Sequence, residues 1–262
     1  MTDATFELPL LSVERINPGV LMLKIDGASN PMRYQEGQFV AVELPNGEVR
    51  SYSLAQPCDP DGVLELHIRP RPGGLMSRWL ESGLEPGHTL RVHGPYGDCV
   101  WRQAANDESV VMLATGTGIA PLHAMVLREL ANYGHAPISL YWGGRTQEDL
   151  YLMKHLERLA DISPRFTFIP VLSRAEAGWK GARGHVQHVA AERHPDLRNG
   201  RVYACGAPAM VSDARALLQS RCGLPETRFL ADAFEPAIAA AASADGETVL
   251  IRPTCMTADA KW

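Results

Sequence analysis

Cysteine is sparse in this chain, and what there is does not cluster. The five residues, Cys58, Cys99, Cys205, Cys222 and Cys255, form no Cys-x-x-Cys pair. Zinc ribbons and iron–sulfur clusters need closely spaced thiolates, so no metal centre is expected within the chain. An odd, scattered set also argues against a disulfide framework and fits reduced thiols. Long apolar runs are missing too, since none approaches the ~20 residues that cross a bilayer as a helix. The opening Met1-Thr2-Asp3-Ala4-Thr5-Phe6-Glu7 carries acid and lacks the basic start and apolar core of a signal peptide. Thiols and N-terminus together predict a cytoplasmic protein. Nor is positive charge in excess: 25 Lys and Arg stand against 30 Asp and Glu, a net charge of −5. That removes any general electrostatic reason to bind nucleic acid or anionic lipid, though not a local basic patch.

What is present is 262 residues, 45% of them hydrophobic, enough for one large domain or two ordinary ones. The chain is organised around the stretch 110–122. Val110-Val111-Met112-Leu113-Ala114 is an apolar run of strand length. Such a run suits a strand buried on both faces. The turn Thr115-Gly116-Thr117-Gly118 follows, and an amphipathic run continues from Ile119 to Leu130. Strand, glycine turn and helix together aim backbone N–H groups at a phosphate. The pattern is close to Gly-x-Gly-x-x-Gly, with Pro121 in place of the third glycine. Proline is at home in the first turn of a helix. A lone glycine motif is met as often in a plain strand-to-helix turn, so the rest of the chain must decide.

In the first hundred residues, short strands are expected at 20–25, 38–44, 49–54, 63–68 and 90–93, with Gly, Pro and Asn between them. Many short strands at close spacing indicate an antiparallel barrel or sandwich. Only Leu75 to Leu84 reads as a helix, and Gly94-Pro95-Tyr96-Gly97 has the composition of a turn. Two places carry possible chemistry. Arg50-Ser51-Tyr52-Ser53 sets a guanidinium, hydroxyls and an aromatic ring along one strand, suited to a flat polar ring system and a phosphate, or else forms a plain edge strand. Gly73-Gly74-Leu75-Met76-Ser77 opens the helix and makes a second anion-ready start, or a plain capped loop.

From Ser109 the rhythm changes. Strand-like segments at 110–114, 138–142, 166–172, 201–204 and 227–230 alternate with helix-like ones. Alternation of this kind means parallel strands joined by helical crossovers, with ligands at the carboxyl ends of the strands. The loops to watch are therefore 115–120, 143–145, 173–174 and 205–208.

Six motifs now stand in order: Arg50-Ser51-Tyr52-Ser53, Gly73 to Ser77, Gly94 to Gly97, Gly116 to Pro121, Tyr141-Trp142-Gly143-Gly144-Arg145, and Cys205-Gly206-Ala207-Pro208-Ala209-Met210-Val211. Their order and spacing resemble the ferredoxin–NADP reductase family. The flavin reductase and oxygenase-reductase branch without a fused ferredoxin domain is nearest, and the likeness spans about residues 8–236. The resemblance implies an N-terminal antiparallel β-barrel domain for FAD at 1–102, a parallel-sheet α/β, Rossmann-like pyridine-nucleotide domain at 103–234, and a C-terminal tail at 235–262. It implies that Arg50 contacts the flavin phosphates, Tyr52 packs on the ring system and Ser53 lies near the hydride-accepting nitrogen. Ser51, His67, Ile68, Gly74, Leu75, Met76 and Ser77 complete the flavin set. Thr115, Gly116, Thr117, Gly118, Pro121, Gly144, Gly206 and Met210 serve the nucleotide, and Cys205 and Asp232 stand by the nicotinamide. Arg145 with Ser173 and Arg174, helped by Lys180 and Arg183, suits a ribose 2′-phosphate, hence NADPH, with NADH the alternative donor.

The ending resembles that of bacterial ferredoxin–NADP reductases, where a terminal aromatic, here Trp262, stacks on the flavin. A remnant of a fused ferredoxin domain and a disordered tail are the rival readings. The expected activity is hydride transfer from NAD(P)H to bound FAD, then release of single electrons to a separate carrier: a ferredoxin, a flavodoxin or an oxygenase component. Arg69, Arg71 and Arg78 are candidate docking residues for an acidic carrier. The alternatives are a free-flavin or ferric reductase, and a non-catalytic flavin-binding redox sensor.

Overall fold

The computed structural model describes residues 4–28, 30–59, 62–132 and 134–234. The tail 235–262, with Cys255 and Trp262, lies outside the described residues. The first unit is one six-stranded antiparallel sheet in the order β4-β3-β6-β1-β2-β5. Its strands are β1 (Thr5–Asn17), β2 (Val20–Asp26), β3 (Phe39–Glu43), β4 (Val49–Ser53), β5 (Val63–Ile68) and β6 (Thr89–Tyr96), with helix α1 (Leu75–Glu81) before the last. The end strands meet through a Leu54–Leu66 bridge, and Ala55 N donates to Glu65 O at 2.9 Å, so the sheet closes into a barrel. Alternate residues fill it: Leu21, Leu23 and Ile25 from β2, Leu64, Leu66 and Ile68 from β5, Leu90 and Val92 from β6. On β5 the other face carries Glu65 and His67, which are also buried, because the second unit covers that side.

Three details depart from expectation. β1 is the longest strand, and no strand is read there from sequence alone. It pairs with β6 over Thr5–Pro9 and with β2 from Leu10 onward, with an irregularity at Leu10/Ser12. Gly94-Pro95-Tyr96 is not a turn but the end of β6. The helix from Leu75 stops at Glu81 rather than Leu84.

The second unit is a parallel sheet, β10-β9-β8-β7-β11-β12. It comprises β7 (Ser109–Thr115), α2 (Ile119–Ala131), β8 (Ile138–Gly144), α3 (Met153–Ile162), β9 (Phe166–Leu172), β10 (Ala182–Arg183), α4 (Val186–Arg193), β11 (Gly200–Gly206), α5 (Pro208–Cys222) and β12 (Phe229–Ala233). The apolar run in β7 is explained by its two covered faces. Val111 and Leu113 join the core under α4 and α5, while Val110, Met112 and Ala114 join the core under α2 and α3. Strand order reverses at β7, with β8 on one side and β11 on the other. Ligands of open α/β sheets bind beyond the strand ends at such a switch point.

The two units are pinned together. Arg128 of α2 donates from Nε to Glu36 at 2.8 Å and from Nη2 to Cys58 O at 2.9 Å. His123 of α2 donates from Nδ1 to Ala55 O at 2.9 Å. Its Nε2 is buried without a hydrogen-bond partner, and burial lowers its pKa to about 4.

Candidate functional site

The switch point is built from two turns that leave no room for side chains. After β7 the chain enters a 3₁₀ turn, Gly116–Gly118, and passes straight into α2. A Cβ on Gly118 would run into the backbone carbonyl of Cys205, at the end of β11. A Cβ on Gly206, at φ 135°, would strike the backbone and hydroxyl of Thr115. Thr115 Oγ1 in turn accepts from Ala207 N at 3.0 Å. The two turns are thus locked edge to edge, and neither carries a side-chain cap on its helix start. Their N–H groups stay available for an anion. Pro121 and Met210, in the first turns of α2 and α5, are buried beneath them.

Cys205 is fully buried and lies in register between Ala114 and Asp232. A hydrogen bond with Cys99 and burial push its thiol pKa well up, so it is a protonated, unreactive thiol at neutral pH. Cys99, on the segment leaving the barrel, is the neighbour that sequence reading missed. Asp232 is raised to about 6 by burial.

On the barrel side, β4 presents Arg50, Ser51, Tyr52 and Ser53 consecutively. Arg50 Nη2 pairs with Glu48 at 2.6 Å, which steadies the guanidinium on the strand. Ser51 is exposed, Ser53 is buried, and Tyr52 is packed against the barrel core with part of its ring free. Burial raises the Tyr52 phenol pKa. In the loop before α1, Ser77 Oγ accepts from Arg71 N at 2.7 Å and fixes the glycine turn. Met76 and Ile68 point into the barrel core, so only their backbones face outward, while Leu75 is half-buried at its edge. The His67 ring is engaged by Glu65 and Tyr151.

The structure brings Arg145 and Arg174 together, since Arg174 N donates to Arg145 O and Ser173 N to Gly144 O, both at 3.0 Å. Both arginines are exposed. Asp149 organises this corner. Its Oδ2 accepts from Arg145 N at 2.8 Å and Thr146 N at 3.2 Å, and its Oδ1 pairs with Arg69 of the barrel unit at 3.2 Å. Arg183 is spent on the carbonyls of Ala175 and Glu176, so it shapes the loop rather than standing free. Two shallow surface grooves, one along Glu43, Trp79 and Arg91 and one along Asp107, Asp196 and Arg198, contain none of the candidate residues. No group of metal-ligating side chains occurs among the described residues.

The donor set suits a flavin and a pyridine nucleotide. An aromatic face, a guanidinium and hydroxyls lie along β4, and the Gly116–Gly118 turn offers backbone N–H groups of the kind that hold a phosphate. Comparison with known proteins agrees. Residues 7–101 match the oxidoreductase FAD-binding domain, and residues 112–216 match the oxidoreductase NAD-binding domain. Ferredoxin–NADP reductase B of Sorangium cellulosum is 34% identical over 230 residues, covering 84% of this chain and 93% of that protein. The CDP-6-deoxy-L-threo-D-glycero-4-hexulose-3-dehydrase reductase of Yersinia pestis is 32% identical over 233 residues, 88% of this chain and 69% of that one. The solved Amycolatopsis cytochrome P450 reductase GcoB superposes with a TM-score of 0.82 at 31% identity, over 91% of this chain and 72% of its own.

Proposed function

The chain belongs to the ferredoxin–NADP reductase family, and from that premise we propose that it moves electrons from NADPH through FAD to a separate carrier protein. It is an NAD(P)H-dependent flavoprotein oxidoreductase. FAD, when bound, supplies the chemistry that turns one hydride into two single electrons. The protein's part is to hold two flat rings about 3–3.5 Å apart and keep water away. A carrier of the ferredoxin, flavodoxin or oxygenase-component type fits relatives that are named as reductase components of monooxygenases. No helix among the described residues is long and apolar enough to cross a membrane. The four cysteines among the described residues are all free, which favours the reducing cytoplasm.

The residue assignments carry the family resemblance onto the groups that these positions offer. Arg50 neutralises the flavin phosphates, Tyr52 offers its free face to the ring system, and the Ser53 hydroxyl sits at the next strand position. Ser51 and the backbone of 74–77 complete the flavin side, while Thr115–Gly118 and Gly206 receive the nucleotide phosphates. Cys205 gives the nicotinamide a small, neutral floor, and Asp232 holds a proton below about pH 6 beside it. Arg145 and Arg174, tied together by the backbone, bind a 2′-phosphate and favour NADPH over NADH. The division at 102/103 falls between the end of β6 at Tyr96 and the start of β7 at Ser109.

The observation that carries this reading is the interlock of Gly118 with Cys205 at the switch point, within the matched NAD-binding domain. The test is anaerobic titration of the purified protein. It is yellow, keeps its flavin through gel filtration, and bleaches faster with NADPH than with NADH. A colourless protein, or one that neither nucleotide bleaches, overturns the reading.

A further inference from the structure

A buried polar cluster lies in the seam between the two units. His67 of β5 is its centre. Its Nε2 donates to Glu65 Oε1 at 3.0 Å, and the same oxygen accepts from Gln56 Nε2 at 3.0 Å. With Nε2 given to the carboxylate, Nδ1 is the ring nitrogen left to face the second unit. It shares a hydrogen bond with the Tyr151 hydroxyl, 2.9 Å away on that unit. The Tyr151 ring stands edge-on to Trp142, with centroids 5.1 Å apart at 89°. The Trp142 indole N–H donates to Gly116 O at 2.9 Å, inside the glycine turn. An unbroken line of bonds and packed rings thus joins β5 of the barrel to the Gly116–Gly118 turn.

A parallel tie, Arg69 to Asp149, is half-exposed, with side-chain exposures of 44% and 24%. Ion pairs of that kind are screened by water and contribute little. The buried line is stiffer, because its polar atoms have no water to turn to when a partner is lost. Ring separation matters steeply in such a reaction, where a misplacement of about 1 Å costs roughly 10²-fold in rate.

Resting on the reductase reading, we propose that Tyr151 is a positioning residue. Acting through His67 and Trp142, it sets the separation between the flavin-bearing barrel edge and the nucleotide turn. Its hydroxyl holds one side of the seam and its ring the other, so removing the hydroxyl loosens the spacing without emptying either binding region.

The test is Tyr151→Phe in the FAD-loaded protein, followed by anaerobic stopped flow with NADPH. Flavin content and KM stay near wild type and the melting temperature falls by only a few degrees, whereas the rate constant of flavin reduction falls about tenfold. The long-wavelength charge-transfer absorbance of the reduced-flavin and NADP⁺ mixture weakens in parallel. Trp142→Phe, which drops the bond to Gly116 O, changes rate and absorbance in the same direction. Rates are taken per bound flavin, so a variant that loses part of its FAD is still read. Wild-type reduction rates and absorbance in both variants overturn the proposal, as does a defect confined to KM or to flavin retention. A wild-type protein that NADPH does not bleach overturns the reductase reading itself.

Discussion

The two halves of the molecule offer their ligand surfaces by opposite means. The barrel uses side chains strung along one strand, Arg50 to Ser53, where each residue contributes its own group. The α/β unit uses backbone at two interlocked turns, where the contribution of Gly118 and Gly206 is to have no side chain. Losses on the barrel side are therefore graded, whereas losses at the turns are close to all-or-none.

Gly118→Ala is the harshest trial of that contrast. The added methyl meets the Cys205 carbonyl, a rigid neighbour. Overpacking of this sort costs on the order of 1–3 kcal/mol, so the melting temperature falls and NADPH no longer bleaches the flavin. A variant with wild-type melting and rate would break the comparison. Arg50→Ala comes next. A charge-assisted hydrogen bond contributes about 1.5–3 kcal/mol, so the FAD dissociation constant rises roughly 10- to 100-fold. Apoprotein melting changes little, and fluorescence titration with FAD reads the result. Smaller still is the double substitution Arg145→Ala with Arg174→Ala. It lowers kcat/KM for NADPH about tenfold, a change worth roughly 1.4 kcal/mol, and leaves NADH untouched. An equal loss with both nucleotides would move the 2′-phosphate site elsewhere.

In the wild-type protein the least effect is on stability against pH. Burial raises Asp232 from 3.8 to about 6, so between those values the folded chain binds the extra proton and stability falls as pH rises. Burial lowers His123 from 6.5 to about 4, so the unfolded chain binds the extra proton there and stability rises with pH. The two slopes oppose each other, and the wild-type curve is nearly flat across the shared window. Asp232→Asn removes the falling slope. Its stability in urea then climbs by on the order of 1–2 kcal/mol between about pH 4.5 and 6.

Much of the second unit was legible because period and burial coincide there. The run at 110–114 has the length and apolarity of a strand covered on both sides, and Ser109–Thr115 form that strand, with a 3₁₀ turn at the glycines after it. The first unit was harder. β1 hides behind Pro9 and a change of partner at Leu10, so its alternation is broken where the strand crosses from one neighbour to the next. The seam was invisible for a different reason. His67 and Tyr151 lie 84 residues apart, and neither carries a local signal that the other will be its partner. Cys99 beside Cys205 is the same case, a neighbour created only by the packing of two units. The roles of Trp262 and the tail concern residues outside those described.

The outermost strand of the parallel sheet, β10, is only Ala182 and Arg183, paired to Val171 and Leu172 of β9. Beyond that short overlap β9 carries Pro170, which has no N–H to offer a newcomer. Arg183 also draws the carbonyls of Ala175 and Glu176 over this margin. An unprotected border of this kind templates aggregation by edge-to-edge pairing. Here the border is clipped, interrupted and overhung, so neighbouring copies find almost no ladder on which to zip.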